Sequence, residues 1–267
     1  MKRTRGDSDL SFLDRSEILG VMFYPRKSYY LKPSKPNATN HLVEVDKGVK
    51  IGCRFYTKEL DCPSMLYFHG NGEIVDDYDW SASFYNDIGI NLFVADYRGY
   101  GFSDGKPTIS NMIKDSHQIF KQFIKIVKEH GSKKSFFVMG RSLGSIPAIE
   151  VVYHYQNEVQ GLIIESGSAN NFRYFLGSSA LYSHPIWSDD SEFLNKVKIR
   201  SISKPTLIIH AEYDTIVPFE EGKELYNNSA AKDRHFLVIP DADHNDLMII
   251  GKEQYFKTIE QFVSTHI

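Results

Sequence analysis

The sequence predicts an α/β protein built on a mostly parallel central sheet. Short apolar runs, rich in β-branched and aromatic residues, alternate along the chain with longer amphipathic stretches, which is the pattern of strands joined by helices. The strand-like runs begin with continuously apolar residues, as expected where helices cover both faces of a sheet. With 267 residues, 42% of them hydrophobic, the chain fits one domain with a sizeable core, so residues 1–267 are interpreted as a single domain.

An antiparallel hairpin is expected at the amino-terminal edge of the sheet. The runs HLVEV and VKIGCRFYT are separated only by Asp46, Lys47 and Gly48, and glycine permits the tight turn that such a connection needs. Six further runs predict strands that are mainly parallel: SMLYFHG, NLFVADYRG, SFFVMGRS, GLIIESG, TLIIHAEYD and HFLVIPDADH.

Helices are predicted between these strands and at the end of the chain. In ISNMIKDSHQIFKQFIKIVKEHG the apolar residues recur at spacings of three and four, and Gly131 stands where a helix would end. The last helix is predicted over KEQYFKTIEQFVSTHI. One connection is far longer than a crossover requires, and its residues 168–204 are interpreted as a short helical lid insertion.

Ser142 is the candidate nucleophile. It lies between Gly140 and Gly144, after the apolar run SFFVMG and before a predicted helix that starts in LGSIPAIEVVYHYQ. Glycines on both sides allow the sharp, strained turn that exposes a serine hydroxyl between a strand and a helix. The helix start also directs N–H groups and the positive end of its dipole toward that hydroxyl.

A serine hydroxyl needs a base, and the base needs an acid that orients it. Among ten histidines, His244 is best placed, because it follows a strand and precedes the last helix. Asp214, directly after TLIIHAEY, is the acid candidate, and Glu165, at the end of an earlier strand, is its rival. His210, inside an apolar run, and His154, inside a predicted helix, are each expected to be a packed or solvated histidine.

Backbone N–H groups would have to stabilise the oxyanion that forms during such a reaction. The residue after the nucleophile, Leu143, is one candidate donor. The other is Asn71, which lies between two glycines in YFHGNGE, after the first predicted parallel strand. His69 is expected to bond this loop rather than to react.

The motifs HGNGE, DYRGYGFSDGKPT, GRSLGS, IIESG, IIHAEYDTIVP and DADHND together resemble the α/β-hydrolase superfamily, and within it the abhydrolase-domain, serine-aminopeptidase-like branch. The resemblance implies the α/β-hydrolase fold, with Ser142, Asp214 and His244 as the catalytic triad and the Asn71 and Leu143 amides as the oxyanion hole. It also implies a serine hydrolase acting on esters or thioesters. The aromatic residues of the lid insertion, Trp187 among them, are expected to roof the nucleophile and to line an apolar pocket, which favours small to medium acyl groups. HGNG differs from the HGGP-type loop of proline iminopeptidases, which disfavours a peptidase. No cysteine cluster for palmitoylation is visible at the amino terminus, which disfavours a membrane-bound protein deacylase.

Two alternatives are an aminopeptidase-like amide hydrolase and a catalytically silent hydrolase fold that only binds ligands. A dinucleotide-binding oxidoreductase is disfavoured, because Ser103 and Asp104 stand where DYRGYGFSDG would need a third glycine. Asp96 and Arg98 of this loop are instead expected to brace the site from beneath. No sequence motif for a metal or another cofactor is present, so the expected partners are an acyl substrate and water.

Charge and targeting signals exclude other classes of partner. A net charge of -3 gives no long-range attraction to nucleic acid. The basic start MKRTR is followed by polar residues instead of the apolar core of a signal peptide, and no apolar run of about 18 residues predicts a membrane span. Because Cys53 and Cys62 are the only cysteines, a disulfide scaffold is excluded and a cytoplasmic location is expected.

Overall fold

The computed structural model describes residues 10–28, 32–131, 135–177 and 181–267. The basic start MKRTR and residues 178–180 of the predicted lid insertion lie outside this part of the chain. Eight strands form one sheet in the order β1-β2-β4-β3-β5-β6-β7-β8. Their bounds are β1 Ala38–Asp46, β2 Val49–Tyr56, β3 Ser64–Phe68, β4 Asn91–Ala95, β5 Phe136–Arg141, β6 Gly161–Glu165, β7 Thr206–Ala211 and β8 Arg234–Ile239.

The strand directions agree with the sequence prediction. Strands β1 and β2 form the expected antiparallel hairpin, in which Asp46 lies opposite Val49 and Gly48 has a φ of 71°. Strand β2 also runs antiparallel to β4. From β4 to β8 every neighbouring pair is parallel, so the carboxyl ends of these strands share one edge of the sheet.

Helices cover both faces of this sheet. They are α1 Ser16–Met22, α2 Ala82–Asp87, α3 Ile109–Glu129, α4 Ser145–Tyr155, α5 Asn195–Lys198, α6 Phe219–Asn228, α7 Leu247–Ile250 and α8 Lys252–Thr265. The prediction of the long amphipathic helix and of its carboxyl-terminal end is confirmed, since α3 ends just before Gly131, whose φ is 89°. The last predicted helix corresponds to α8.

Alternate strand residues enter two separate cores. In β3, Leu66 and Phe68 pack into the core that contains apolar residues of α1, α3, α4 and α6. Their neighbours Met65 and Tyr67 pack on the opposite face with α2 and α8. Each large apolar side chain that is fully buried contributes about 1.5–3 kcal/mol, so both faces hold the strands, and hence the loops at their carboxyl ends, in place.

The connection between β6 and β7, residues 166–205, is called the β6–β7 segment below. Its described residues form α5 and short 3-10 turns at Arg173–Leu176, Pro185–Trp187 and Ile199–Ser201. Trp187 is buried and its ring lies 5.3 Å from that of Phe193, centroid to centroid. Part of the predicted lid insertion is therefore packed into the body of the protein.

Candidate active site

Ser142 lies on a sharp turn between β5 and α4. Its φ is 50°, in the left-handed region that side chains other than glycine rarely adopt. The turn also requires close backbone contacts, because a Cβ on Gly140 would lie 2.2 Å from the carbonyl oxygen of Gly144. A Cβ on Gly144 would lie 2.0 Å from the carbonyl oxygen of Phe68. Both glycines of the sequence motif are therefore sterically required.

His244 and Asp214 form a hydrogen-bonded chain with Ser142. The Nε2 atom of His244 lies 3.0 Å from Ser142 Oγ. Its Nδ1 atom lies 2.8 Å and 3.0 Å from the two carboxylate oxygens of Asp214. All three side chains are buried, so little water competes for these bonds. The arrangement can accept a proton from the hydroxyl and hold the resulting imidazolium beside a carboxylate.

The loop after β7 fixes Asp214 and keeps it charged. Asp214 Oδ1 accepts hydrogen bonds from the main-chain N–H groups of Ile216 at 3.0 Å and Val217 at 2.7 Å. Burial alone raises the pKa of this carboxyl, but the hydrogen bonds from His244 and Val217 outweigh burial, and the net pKa is lowered. Asp214 is thus a carboxylate at neutral pH, as an orienting acid must be.

Glu165, the rival acid, has other partners. Its Oε1 accepts a hydrogen bond from Arg141 Nε at 3.0 Å, and its Oε2 accepts one from the Tyr255 hydroxyl at 2.6 Å. His210 is packed, one of the two outcomes predicted for it: it is buried, and its Nε2 donates to the carbonyl oxygen of Val217 at 2.9 Å. Neither side chain bonds His244 in the described chain, which leaves Asp214 as the acid of this arrangement.

The predicted oxyanion-hole residues lie at the same place. Asn71 and Leu143 line one cavity together with Ser142 and His244. The loop of Asn71 is braced from below by His69, whose Nδ1 lies 2.8 Å from the carbonyl oxygen of Gly70. The Nε2 atom of His69 lies 3.1 Å from Asp96 Oδ1, so His69 has the structural role that was expected of it.

The cavity above Ser142 has a volume of about 430 Å³ and mainly apolar walls. Two of its walls come from parts of the chain outside the sheet, namely α1 with Tyr24 beyond its end and the β6–β7 segment. The lining residues are Val21, Met22, Tyr24, Asn71, Arg141, Ser142, Leu143, Phe172, Phe175, Ile216, His244 and Asn245. Trp187, which the aromatic pattern of the lid insertion singled out for the acyl pocket, is not among them because it packs against Phe193.

Comparisons with known proteins agree with this fold. A family model described as serine aminopeptidase, S33, matches residues 62–176. Human alpha/beta hydrolase domain-containing protein 17B is 28% identical over 233 residues, which are 85% of this chain and 75% of that protein. The chain has the α/β-hydrolase fold. Its sequence is similar to the abhydrolase-domain, serine-aminopeptidase-like branch of that superfamily.

Two other proteins that are similar to this α/β hydrolase are named as a lipase and an esterase. Lysophosphatidylserine lipase ABHD12 of Rattus norvegicus is 32% identical over 186 residues, covering 63% of this chain and 46% of that protein. The solved structure of the Pyrococcus furiosus esterase Pf2001 superposes with a TM-score of 0.70 at 22% identity, over 91% of this chain and 99% of the esterase. The latter similarity establishes the fold. Within the residues described, no helix of this α/β hydrolase has the length and apolarity of a membrane span.

Sequence reasoning missed two parts of the α/β-hydrolase site. The first is the wall made by α1 and Tyr24, whose main-chain N–H donates to Asn71 Oδ1 at 2.9 Å; the short apolar stretch EILGVMFY was the available signal. The second is Arg141, a variable position of the serine motif, which is buried and ion-paired with Glu73 and Glu165. Arg98, expected to brace the site, instead bonds Asp115 of α3 at 2.6 Å.

Proposed function

We propose that this α/β hydrolase is a serine hydrolase that cleaves carboxylic esters or thioesters of small to medium acyl groups. The observation that carries the proposal is the hydrogen-bonded chain from Ser142 through His244 to Asp214 at the base of a cavity with apolar walls. The names of the lipase and esterase relatives support the same class of reaction.

In the proposed reaction, Ser142 Oγ attacks the acyl carbonyl carbon while His244 Nε2 takes the hydroxyl proton. Asp214 stabilises the imidazolium, and the N–H groups of Asn71 and Leu143 hold the oxyanion, where each donor is typically worth about 2.7–4 kcal/mol. The C–O or C–S bond of the substrate then breaks, and His244 gives the proton to the leaving alcohol or thiol. Water hydrolyses the acyl-enzyme by the same steps and restores Ser142. These groups supply both proton transfers without a cofactor.

The preference for small to medium acyl groups is inferred from the walls of the cavity. Phe172 and Phe175 of the β6–β7 segment, with Val21 and Met22 of α1, offer apolar surface to an acyl chain. Each methylene that such a chain buries adds about 0.8 kcal/mol until the space is filled. Acetate, which buries the least, is therefore the poorest expected acyl group.

The test combines covalent labelling with a substrate panel. A fluorophosphonate probe should label the wild-type protein on Ser142 and not label Ser142→Ala, which should also lose ester hydrolysis. Ser145→Ala is the matched control, because Ser145 begins α4 three residues later and its hydroxyl lies near Asn195 Nδ2 instead, at 3.4 Å; it should keep both signals. The panel consists of p-nitrophenyl esters from acetate to palmitate, acyl-thioesters and aminoacyl amides.

Each result has one interpretation. Hydrolysis of aminoacyl amides without hydrolysis of esters would support the aminopeptidase alternative, and a folded protein that the probe does not label would support a binding role. The cytoplasmic location stays a prediction from the sequence, which cell fractionation tests.

A further inference from the structure

Two histidines and one glutamate meet where α3 packs against α4, away from the pocket. Glu150 and His154 are one turn apart on α4, and His117 faces them from α3. His154 Nε2 lies 3.0 Å from Glu150 Oε1, and His117 Nε2 lies 3.1 Å from the same oxygen. The three potential ligand atoms all lie within 4.8 Å of one another. Two helices thus direct three metal-binding groups toward one point.

The spacing of these atoms fits a tetrahedral metal ion. Zinc binds imidazole nitrogen and carboxylate oxygen at roughly 2.0–2.2 Å, which places neighbouring ligand atoms about 3.4 Å apart. The two observed separations, 3.0 Å and 3.1 Å, need to widen only by a few tenths of an ångström. Two imidazoles and one carboxylate are a ligand set that zinc accepts in proteins, with water in the fourth position.

The groups around the cluster orient its ligands. The hydroxyl of Tyr155 lies 3.2 Å from His117 Nδ1. It can accept a hydrogen bond from Nδ1–H, which leaves the Nε2 lone pair for a metal. Lys198 forms an ion pair with the other carboxylate oxygen of Glu150, Oε2. Its positive charge therefore contacts the oxygen that faces away from the imidazoles, and it holds the carboxylate with Oε1 toward them.

A cation can reach this cluster from solvent. The side chain of His154 is 48% exposed, whereas that of Glu150 is 7% exposed. The cluster therefore has a fixed inner ligand and an accessible outer one. None of its three residues lines the cavity above Ser142.

We propose that His117, Glu150 and His154 bind a zinc ion that joins α3 to α4. Both imidazoles bind as the neutral tautomer protonated on Nδ1, so a neutral histidine loses no proton when the metal arrives. The ion stabilises the folded chain because the unfolded chain does not hold the three ligands together. It also fixes α4, the helix that begins directly after the turn of Ser142.

The test uses the full chain without a histidine tag, freed of metal by EDTA and dialysis, and then titrated with zinc sulfate. We expect one bound zinc per chain by elemental analysis and, at zinc about 100 times above the dissociation constant, a rise in Tm of about 5 °C. His154→Ala and His117→Ala should each abolish the rise. Tyr155→Phe should bind zinc at least about tenfold more weakly, since it lacks the hydroxyl that orients His117.

Two control variants separate this site from other histidines. His235 is exposed and lies beside Asp233, as does His266, but the two imidazoles contact different carboxylate oxygens and do not meet at one. His235→Ala should therefore keep the full rise in Tm. His244→Ala should also keep it, which excludes zinc binding at Ser142. The proposal is overturned if the wild-type protein binds no zinc, if both His154→Ala and His117→Ala retain the rise, or if either control variant loses it.

Discussion

Arg141 donates a hydrogen bond from its guanidinium to the main-chain carbonyl oxygen of His244, at 2.8 Å. The residue before the proposed nucleophile thereby holds the residue proposed as its base. The same guanidinium donates to Glu165 at 3.0 Å and forms an ion pair with Glu73. Two loops and the end of β6 are thus joined through one buried side chain at the carboxyl edge of the sheet, and the distance between Ser142 and His244 depends on it.

Arg141→Lys should lower kcat at least about tenfold and change KM little, because lysine keeps the charge but cannot bond three partners in one plane. A small displacement of the base is costly in such sites. The measurement is steady-state kinetics on a p-nitrophenyl ester, with Tm followed in parallel. Arg234→Lys is the matched control. Arg234 also donates to main-chain carbonyl oxygens, those of Ser229 and Ala231, but it begins β8, at the end opposite to the loop that carries His244. An equal loss in both variants would contradict the positioning role.

Asp214→Asn should lower kcat by about four orders of magnitude, as the loss of the correct imidazole tautomer does in other triads. Glu165→Gln should cost far less, because Glu165 bonds Arg141 and Tyr255 instead of His244. Steady-state kinetics measures kcat of both variants, with active-site titration to determine the concentration of active protein. The reverse ranking would assign the role of the acid to Glu165.

The pH profile of kcat/KM should rise along a single limb with a slope of one proton, since His244 acts as a base only when neutral. Asp214 does not add a second proton, because its lowered pKa keeps it charged at neutral pH. A depressed carboxyl pKa also contributes stability that is complete above the usual aspartate value, about 3.9, and is lost only as the pH falls further. Asp214 should therefore cause no loss of Tm where activity falls, and a limb of slope two would contradict the assignment.

Ser142→Gly should be more stable than Ser142→Ala by about 1 kcal/mol, because the φ of 50° at this position costs alanine more than glycine. Urea unfolding of the two inactive variants measures the difference. At Lys121, exposed within α3, the order should reverse, with glycine about 1 kcal/mol less stable than alanine. An unchanged order at position 142 would show that the turn relaxes.

Phe175→Ala should reduce kcat/KM for hexanoate and octanoate esters several-fold more than for acetate, because Phe175 lines the cavity. Trp187→Ala should instead lower the free energy of unfolding by about 3–5 kcal/mol, as expected for a buried tryptophan, and leave the chain-length profile unchanged. The measurement is kcat/KM of both variants and of the wild type across esters from acetate to palmitate. A profile that changes with Trp187 and not with Phe175 would place the acyl group elsewhere.

The sequence was sufficient to predict the sheet and the closeness of Ser142, Asp214 and His244. The central residues of strands such as Gly161–Glu165 and Thr206–Ala211 are apolar, at 162–164 and 207–209, as expected of strands buried on both faces. Ser142, Asp214 and His244 each follow a parallel strand, and parallel strands end at a common edge. Their meeting could therefore be predicted without coordinates.

The partners of Arg141 could not be predicted in this way. Glu73, Glu165 and the carbonyl oxygen of His244 come from three distant parts of the chain, and no periodicity links a buried arginine to its acceptors. The aromatic residues of the β6–β7 segment posed a similar problem, since composition does not distinguish Phe175, which lines the cavity, from Trp187, which packs in the core. Both outcomes depend on the direction of single side chains in an irregular segment.

The wall formed by α1 has a practical consequence for protein engineering. Helix α1 lies outside the sheet and contains none of Ser142, Asp214 and His244. Its residues Val21 and Met22 nevertheless line the same cavity as Ser142 and His244. If the proposed function holds, selectivity and chemistry are encoded in separate stretches of sequence. A variant library confined to residues 16–24, sparing the buried Ile18, would then alter the range of accepted acyl groups while leaving the reacting side chains in place.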